Sequence, residues 1–91
     1  MPRFLFARPL GATDRESLEA QAGAIRQKVE HLSPREFEVL GTMLMGLTSE
    51  EAGTALGISK RTIDVHKQHI LQKLEARNAF YAVRMATVAG Y

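Results

Sequence analysis

Thr48-Ser49-Glu50-Glu51-Ala52-Gly53-Thr54-Ala55-Leu56-Gly57-Ile58-Ser59-Lys60-Arg61-Thr62-Ile63-Asp64-Val65-His66 is the stretch on which the fold turns. It opens with a capping box: Thr48 is placed to cap a helix, and Glu51 to reach back to the Thr48 backbone. The helix closes at Gly57, because a residue just past a helix often needs positive φ, which glycine adopts without a steric penalty. Ile58 is expected to turn inward. Ser59 then caps a second helix that runs from Lys60 to about Glu75, with Ile63, Ile70, Leu71 and Leu74 as its apolar side.

The same local signals continue in both directions. Upstream, Ser33 is an N-cap, Pro34 sits where its missing N–H is harmless, and Glu36 completes a second capping box. Leu32 and Phe37 form a hydrophobic staple. This helix runs through Val39, Leu40, Met43 and Leu44 to a terminal Gly46. Downstream, Asn78 caps a last helix from Ala79 to about Ala89, with Ala82, Val83 and Ala86 inward. No period-two strand pattern occurs anywhere, so the chain reads as all-α. Four helices over residues 33–89 follow an additional N-terminal helix. The segment divides into an irregular start (1–12), a linker or dimerisation helix (13–31) and the main domain (32–91). In the leading helix, Thr13 or Asp14 is the expected cap. Leu18, Ala22, Ile25, Val29 and Leu32 make a heptad-spaced seam. That seam fits a partner helix, and it fits equally a helix lying on its own domain.

The 91 residues carry a net charge of +2 and no cysteine, which excludes disulfides, cysteine-ligated zinc and a thiol nucleophile. No apolar run is long enough to span a bilayer, and Met1-Pro2-Arg3-Phe4-Leu5-Phe6 is too short for a signal peptide. A cytoplasmic location is therefore the default expectation, with no membrane partner. By region the charge is +1 for residues 1–32, −3 for 33–58 and +4 for 59–91. The basic end coincides with the Ser59-capped helix. Two helices joined by a tight Leu-Gly-Ile-Ser turn, the second basic, have the form of a helix-turn-helix. A helix of that kind fits the major groove of B-form DNA, and the preceding helix braces it. Ala52, Gly53 and Ala55 are small enough to let the two helices approach.

Residues 32–89 resemble the LuxR-type (GerE-like) helix-turn-helix domain. The matching residues are Pro34-Arg35-Glu36, Glu38-Val39-Leu40, Gly46-Leu47-Thr48, Leu56-Gly57-Ile58-Ser59, Thr62-Ile63-Asp64-Val65-His66, Lys73-Leu74 and Ala76-Arg77, in order. The resemblance implies a transcription regulator whose third domain helix enters the major groove of double-stranded DNA and whose fourth serves in dimerisation. It implies base reading by Asp64, Val65 and Gln68. Gln68 suits adenine, Asp64 suits cytosine N4 and Val65 suits a thymine methyl. Lys60, Arg61, Thr62, Lys67 and Lys73 suit phosphates, which position without specifying. A homodimer is expected through Phe80, Val83, Arg84 and Thr87, with Leu18 and Ile25 of the leading helix in support. That leading helix is similar to the linker of FixJ/NarL-type response regulators.

The chain also departs from the pattern. Glu50 would repel phosphate. Ala52 replaces a usual isoleucine, with the larger Phe37 a candidate to offset the lost volume. Asp64 stands where many relatives are basic or neutral, which predicts weaker and more selective binding. His66 and His69 lie one turn apart with no third ligand in view, so no metal is expected. Ser, His and Asp are scattered over caps and faces, so no enzymatic role, cofactor or small-molecule ligand is expected. Two other functions use the same features: a sigma-region-four-like module working with RNA polymerase, and a helical protein-interaction module without DNA binding.

Overall fold

The structure, a computed structural model, describes residues 12–91. Five helices follow in order: α1 Ala12–Glu30, α2 Pro34–Leu44, α3 Ser49–Leu56, α4 Lys60–Leu74 and α5 Ala79–Val88. No strand occurs among the described residues. The irregular N-terminal start lies almost wholly outside them. The bounds of α1 put Thr13 and Asp14 inside the helix rather than at its cap.

The caps form as their sequences dictate. Ser33 Oγ accepts from Glu36 N–H, and the Glu36 carboxylate accepts in return from Ser33 N–H. Thr48 and Glu51 do the same at α3. Single caps by Ser59 and Asn78 open α4 and α5. Each cap satisfies backbone donors that a helix start leaves without partners. Gly57 closes α3 at φ 71°, the left-handed region its lack of a side chain permits.

Helix α4 is the centre of the fold and packs against all four other helices. Its Ile63, Ile70 and Leu74 are fully buried with Val39, Leu40, Ala52, Ala82 and Ala86. The turn between α3 and α4 is tight for a stated reason. A Cβ at Gly53 would lie 2.6 Å from the Ile58 carbonyl oxygen, so only glycine admits this approach. Ala52 and Gly53 are the buried small residues of α3; Ala55, expected beside them, is exposed.

The seam of α1 belongs mainly to its own domain. Ala22, Val29 and Leu32 are buried, Ile25 packs against the core, and α1 lies on α4 and α5. Arg26 adds a hydrogen bond to the Ala89 carbonyl at 3.3 Å. Leu18 remains 42% exposed. Phe37 does not fill space near Ala52. It stays 46% exposed at the surface, against the edge of Tyr91 with ring centroids 5.9 Å apart. No described helix is long and apolar enough to cross a membrane.

Candidate nucleic-acid interface

With Ile63, Ile70 and Leu74 turned inward, the helical period sets the opposite side of α4 toward solvent. Arg61, Asp64, Val65, Gln68, His69 and Gln72 line one shallow depression there. The expected base-reading residues Asp64, Val65 and Gln68 are therefore brought together, with Arg61 beside them. Val65 is an exposed apolar side chain on an otherwise polar face. Rigidity comes from beneath, through the Gly53–Ile58 approach and the buried side of α4.

The expected phosphate-binding residues divide into two groups. Lys60, Arg61, Thr62 and Lys67 lie on the N-terminal half of α4. Lys60 Nζ donates to Asp64 Oδ2 at 3.0 Å, and Lys67 Nζ donates to Ser49 Oγ at 2.8 Å. The Thr62 hydroxyl is paired with Ser59 Oγ at 2.9 Å, so it forms part of the cap. Asp64 is not an open acceptor either, because Ser49 Oγ donates to its Oδ1 at 2.7 Å. The Ser49 and Lys60 hydrogen bonds hold the Asp64 carboxyl below its ordinary range and outweigh the opposing effect of desolvation.

Lys73 belongs elsewhere. Its ammonium donates to Glu36 Oε1 at 2.7 Å and to the His31 carbonyl at 3.3 Å. This commits it to the α1–α2 junction, away from the phosphate-binding group the sequence suggested. Glu36 is 5% exposed. Burial pushes its carboxyl up, but the Lys73 hydrogen bond, the Ser33 N–H and the charges of Lys73 and His69 outweigh that and hold it below the ordinary glutamate value.

Glu36 also stands beside the two histidines. Glu36, His66 and His69 each bring a ligand-type atom within 4.8 Å of the others. The carboxylate that sequence spacing did not reveal comes from the start of α2. Its Oε1 is taken by Ser33 N–H and Lys73, and its Oε2 lies 3.4 Å from His69 Nδ1. Lys73 already supplies the compensating charge, so the group acts as an ion-pair clamp between α2 and α4. His66 Nδ1 is buried beside it without a hydrogen-bond partner.

The expected dimer residues are divided too. Phe80 is 69% exposed and meets Tyr81 edge-on, while Arg84 and Thr87 are at the surface. Val83 packs partly against the core and, with Phe80, borders a depression that includes Met43 and Leu47. Ile25 is partly buried and packs against its own core.

Residues 30–86 match the family described as bacterial regulatory proteins, luxR family (GerE). The transcriptional regulatory protein FixJ of Rhizobium meliloti is 36% identical over 70 residues, covering 77% of this chain and 34% of that protein. The C4-dicarboxylate transport transcriptional regulatory protein DctR of Rhodobacter capsulatus is 39% identical over 68 residues, or 74% of this chain and 34% of the relative. The nitrate/nitrite response regulator protein NarL of Escherichia coli K12 is 31% identical over 62 residues, or 68% and 29%. The chain thus spans about a third of the length of these relatives. It belongs to the luxR family of bacterial regulatory proteins.

Proposed function

We propose that this luxR-family chain binds double-stranded DNA sequence-specifically in the cytoplasm and regulates transcription, with α4 in the major groove. The observation that carries the reading is the outer face of α4: Arg61, Val65, Gln68 and Gln72 stand together on a helix braced rigidly by α3. An open, polar helix face with one apolar contact point suits base edges and a thymine methyl. Gln68 and Val65 are the base readers in this proposal. Lys60, Arg61 and Lys67 hold phosphates, and Lys73 serves the fold. The names of FixJ, DctR and NarL, all regulators, support the same reading.

The test is a salt titration against duplex DNA. Lysine and arginine contacts release counterions, so log affinity should fall against log salt by about 0.9 per phosphate contacted. Gln68→Ala should then reduce discrimination at particular base pairs by roughly 1–3 kcal/mol. A chain that ignores duplex DNA at low salt overturns the reading.

The proposal includes a homodimer through α5, because one small domain covers one half-site and a longer operator needs two. Exposed Phe80 beside Arg84 and Thr87 supports that surface. Phe80→Glu should convert the dimer to monomer in sedimentation equilibrium while leaving the circular dichroism unchanged. A dimer that survives this substitution places the interface elsewhere, with Leu18 on α1 as the next candidate.

A further inference from the structure

Four side chains at the junction of α3 with α4 form one connected network. Ser49, at the first position of α3, donates its hydroxyl proton to Asp64 Oδ1 at 2.7 Å and accepts from Lys67 Nζ at 2.8 Å. A serine hydroxyl has one proton and two lone pairs, so both bonds hold at once. The second oxygen of Asp64 accepts from Lys60 Nζ at 3.0 Å. One carboxylate therefore engages two lysines of the helix that faces DNA, Lys60 directly and Lys67 through Ser49. Glu50 adds further negative potential at Lys60.

The chemistry of this arrangement is that of a phosphate mimic. A phosphodiester oxygen offers a lysine the same thing Asp64 offers, an anionic acceptor within hydrogen-bond reach. The difference is that Asp64 is always present, while a phosphate must arrive. A lysine that turns to DNA must leave Asp64 or share it, and the carboxylate itself repels the phosphate backbone. Sequence-independent affinity rests on just these phosphate contacts.

We infer that the Ser49–Asp64 pair is an internal competitor for DNA phosphates, which holds Lys60 and Lys67 back and so raises the chain's selectivity for its operator over other DNA. Asp64 then acts as a specificity-setting positioning residue in place of a reader of cytosine. The inference rests on the proposed DNA binding. It goes beyond that reading by assigning a role to Ser49, which no base or phosphate contact required.

The experiment measures the affinity of the full chain for a random-sequence duplex across a range of sodium chloride concentrations. Wild type, Asp64→Asn and Ser49→Ala are compared. Asp64→Asn keeps the shape and removes the charge. It should bind random duplex about tenfold more tightly at low salt, and its log–log slope should steepen by about 0.9 for each lysine released to a phosphate. Ser49→Ala releases Lys67 but leaves the Lys60–Asp64 pair, so it should fall between the two. Bound random DNA with an unchanged slope in both variants overturns the competitor. Weaker binding by Asp64→Asn also overturns it, because removing a carboxylate that competes with phosphate cannot weaken the hold on random duplex. If neither wild type nor Asp64→Asn binds duplex at low salt, the DNA reading itself falls, and the competitor falls with it.

Discussion

The two ends of α4 are fastened by the same chemistry in different surroundings. At the N-terminal end, Asp64 pairs with Lys60 and, through Ser49, with α3. At the C-terminal end, Lys73 pairs with Glu36 of α2. Both are carboxylate–ammonium contacts of 3.0 Å or less. The Glu36 side chain is 6% exposed, whereas that of Asp64 is 46% exposed. An exposed pair exchanges easily with water and contributes little to stability. A buried carboxylate has no such alternative, so it depends on its lysine for a compensating charge. The C-terminal end is thus built to hold the helix in place, and the N-terminal end, on the face proposed to bind DNA, is left adjustable.

The largest effect should come from breaking the buried end. Glu36→Ala removes the Lys73 pair and half of the α2 capping box together. The Lys73 left behind is 39% exposed and can turn to water, so we expect the loss of a charged hydrogen bond and a cap, about 2 kcal/mol in urea unfolding. Asp64→Ala should unfold at the same urea midpoint as wild type. Equal losses from both substitutions would break the comparison. Acid provides a second view. The Glu36 carboxyl is held below its ordinary value of 4.5. The stability it contributes is fully present above that value and disappears as pH falls through the lower, folded-state value. Wild type should therefore lose stability more steeply than Glu36→Ala below about pH 4.5.

This contrast also separates what the sequence could and could not reveal. The caps were legible because each is made within three or four residues: Ser33 with Glu36, Thr48 with Glu51, Ser59 with Thr62 and Asn78 with Tyr81. The inward and outward sides of α4 followed from helical period alone. The role of Lys73 and the tie of Asp64 to Ser49 did not, because Glu36 and Ser49 lie 37 and 15 residues away in the chain; only the Lys60–Asp64 pair, one helical turn apart, was within reach of local spacing. A lysine on a basic helix gives no local sign of whether it faces a phosphate or a buried glutamate. The α1 seam was ambiguous for the same reason: heptad spacing describes a stripe without naming what covers it. Glu36 was visible as a capping residue, and that local role concealed its second one beside His66 and His69.

The smallest expected effect lies just past Lys73, where the firmly held end of α4 stops. Glu75 closes the helix at φ 55°, the only non-glycine residue with positive φ among the described residues. A side chain in that region is destabilising by roughly 1–2 kcal/mol, and glycine relieves it. Glycine also gives the unfolded chain more freedom, which offsets part of the gain. The substitution removes the Glu75 contact with Lys28 at 3.2 Å as well. That pair is exposed, so by the same argument as for Asp64 its loss should be small. Glu75→Gly should therefore stabilise the fold by about 0.5 kcal/mol, seen as a slightly higher urea midpoint. Lys28→Ala isolates the ion pair, and it should leave the midpoint unchanged. If Glu75→Gly instead destabilises and Lys28→Ala matches it, the exposed pair with Lys28 outweighs the backbone strain. The division between a buried end that stabilises and exposed pairs that do not would then fail within one turn of Lys73.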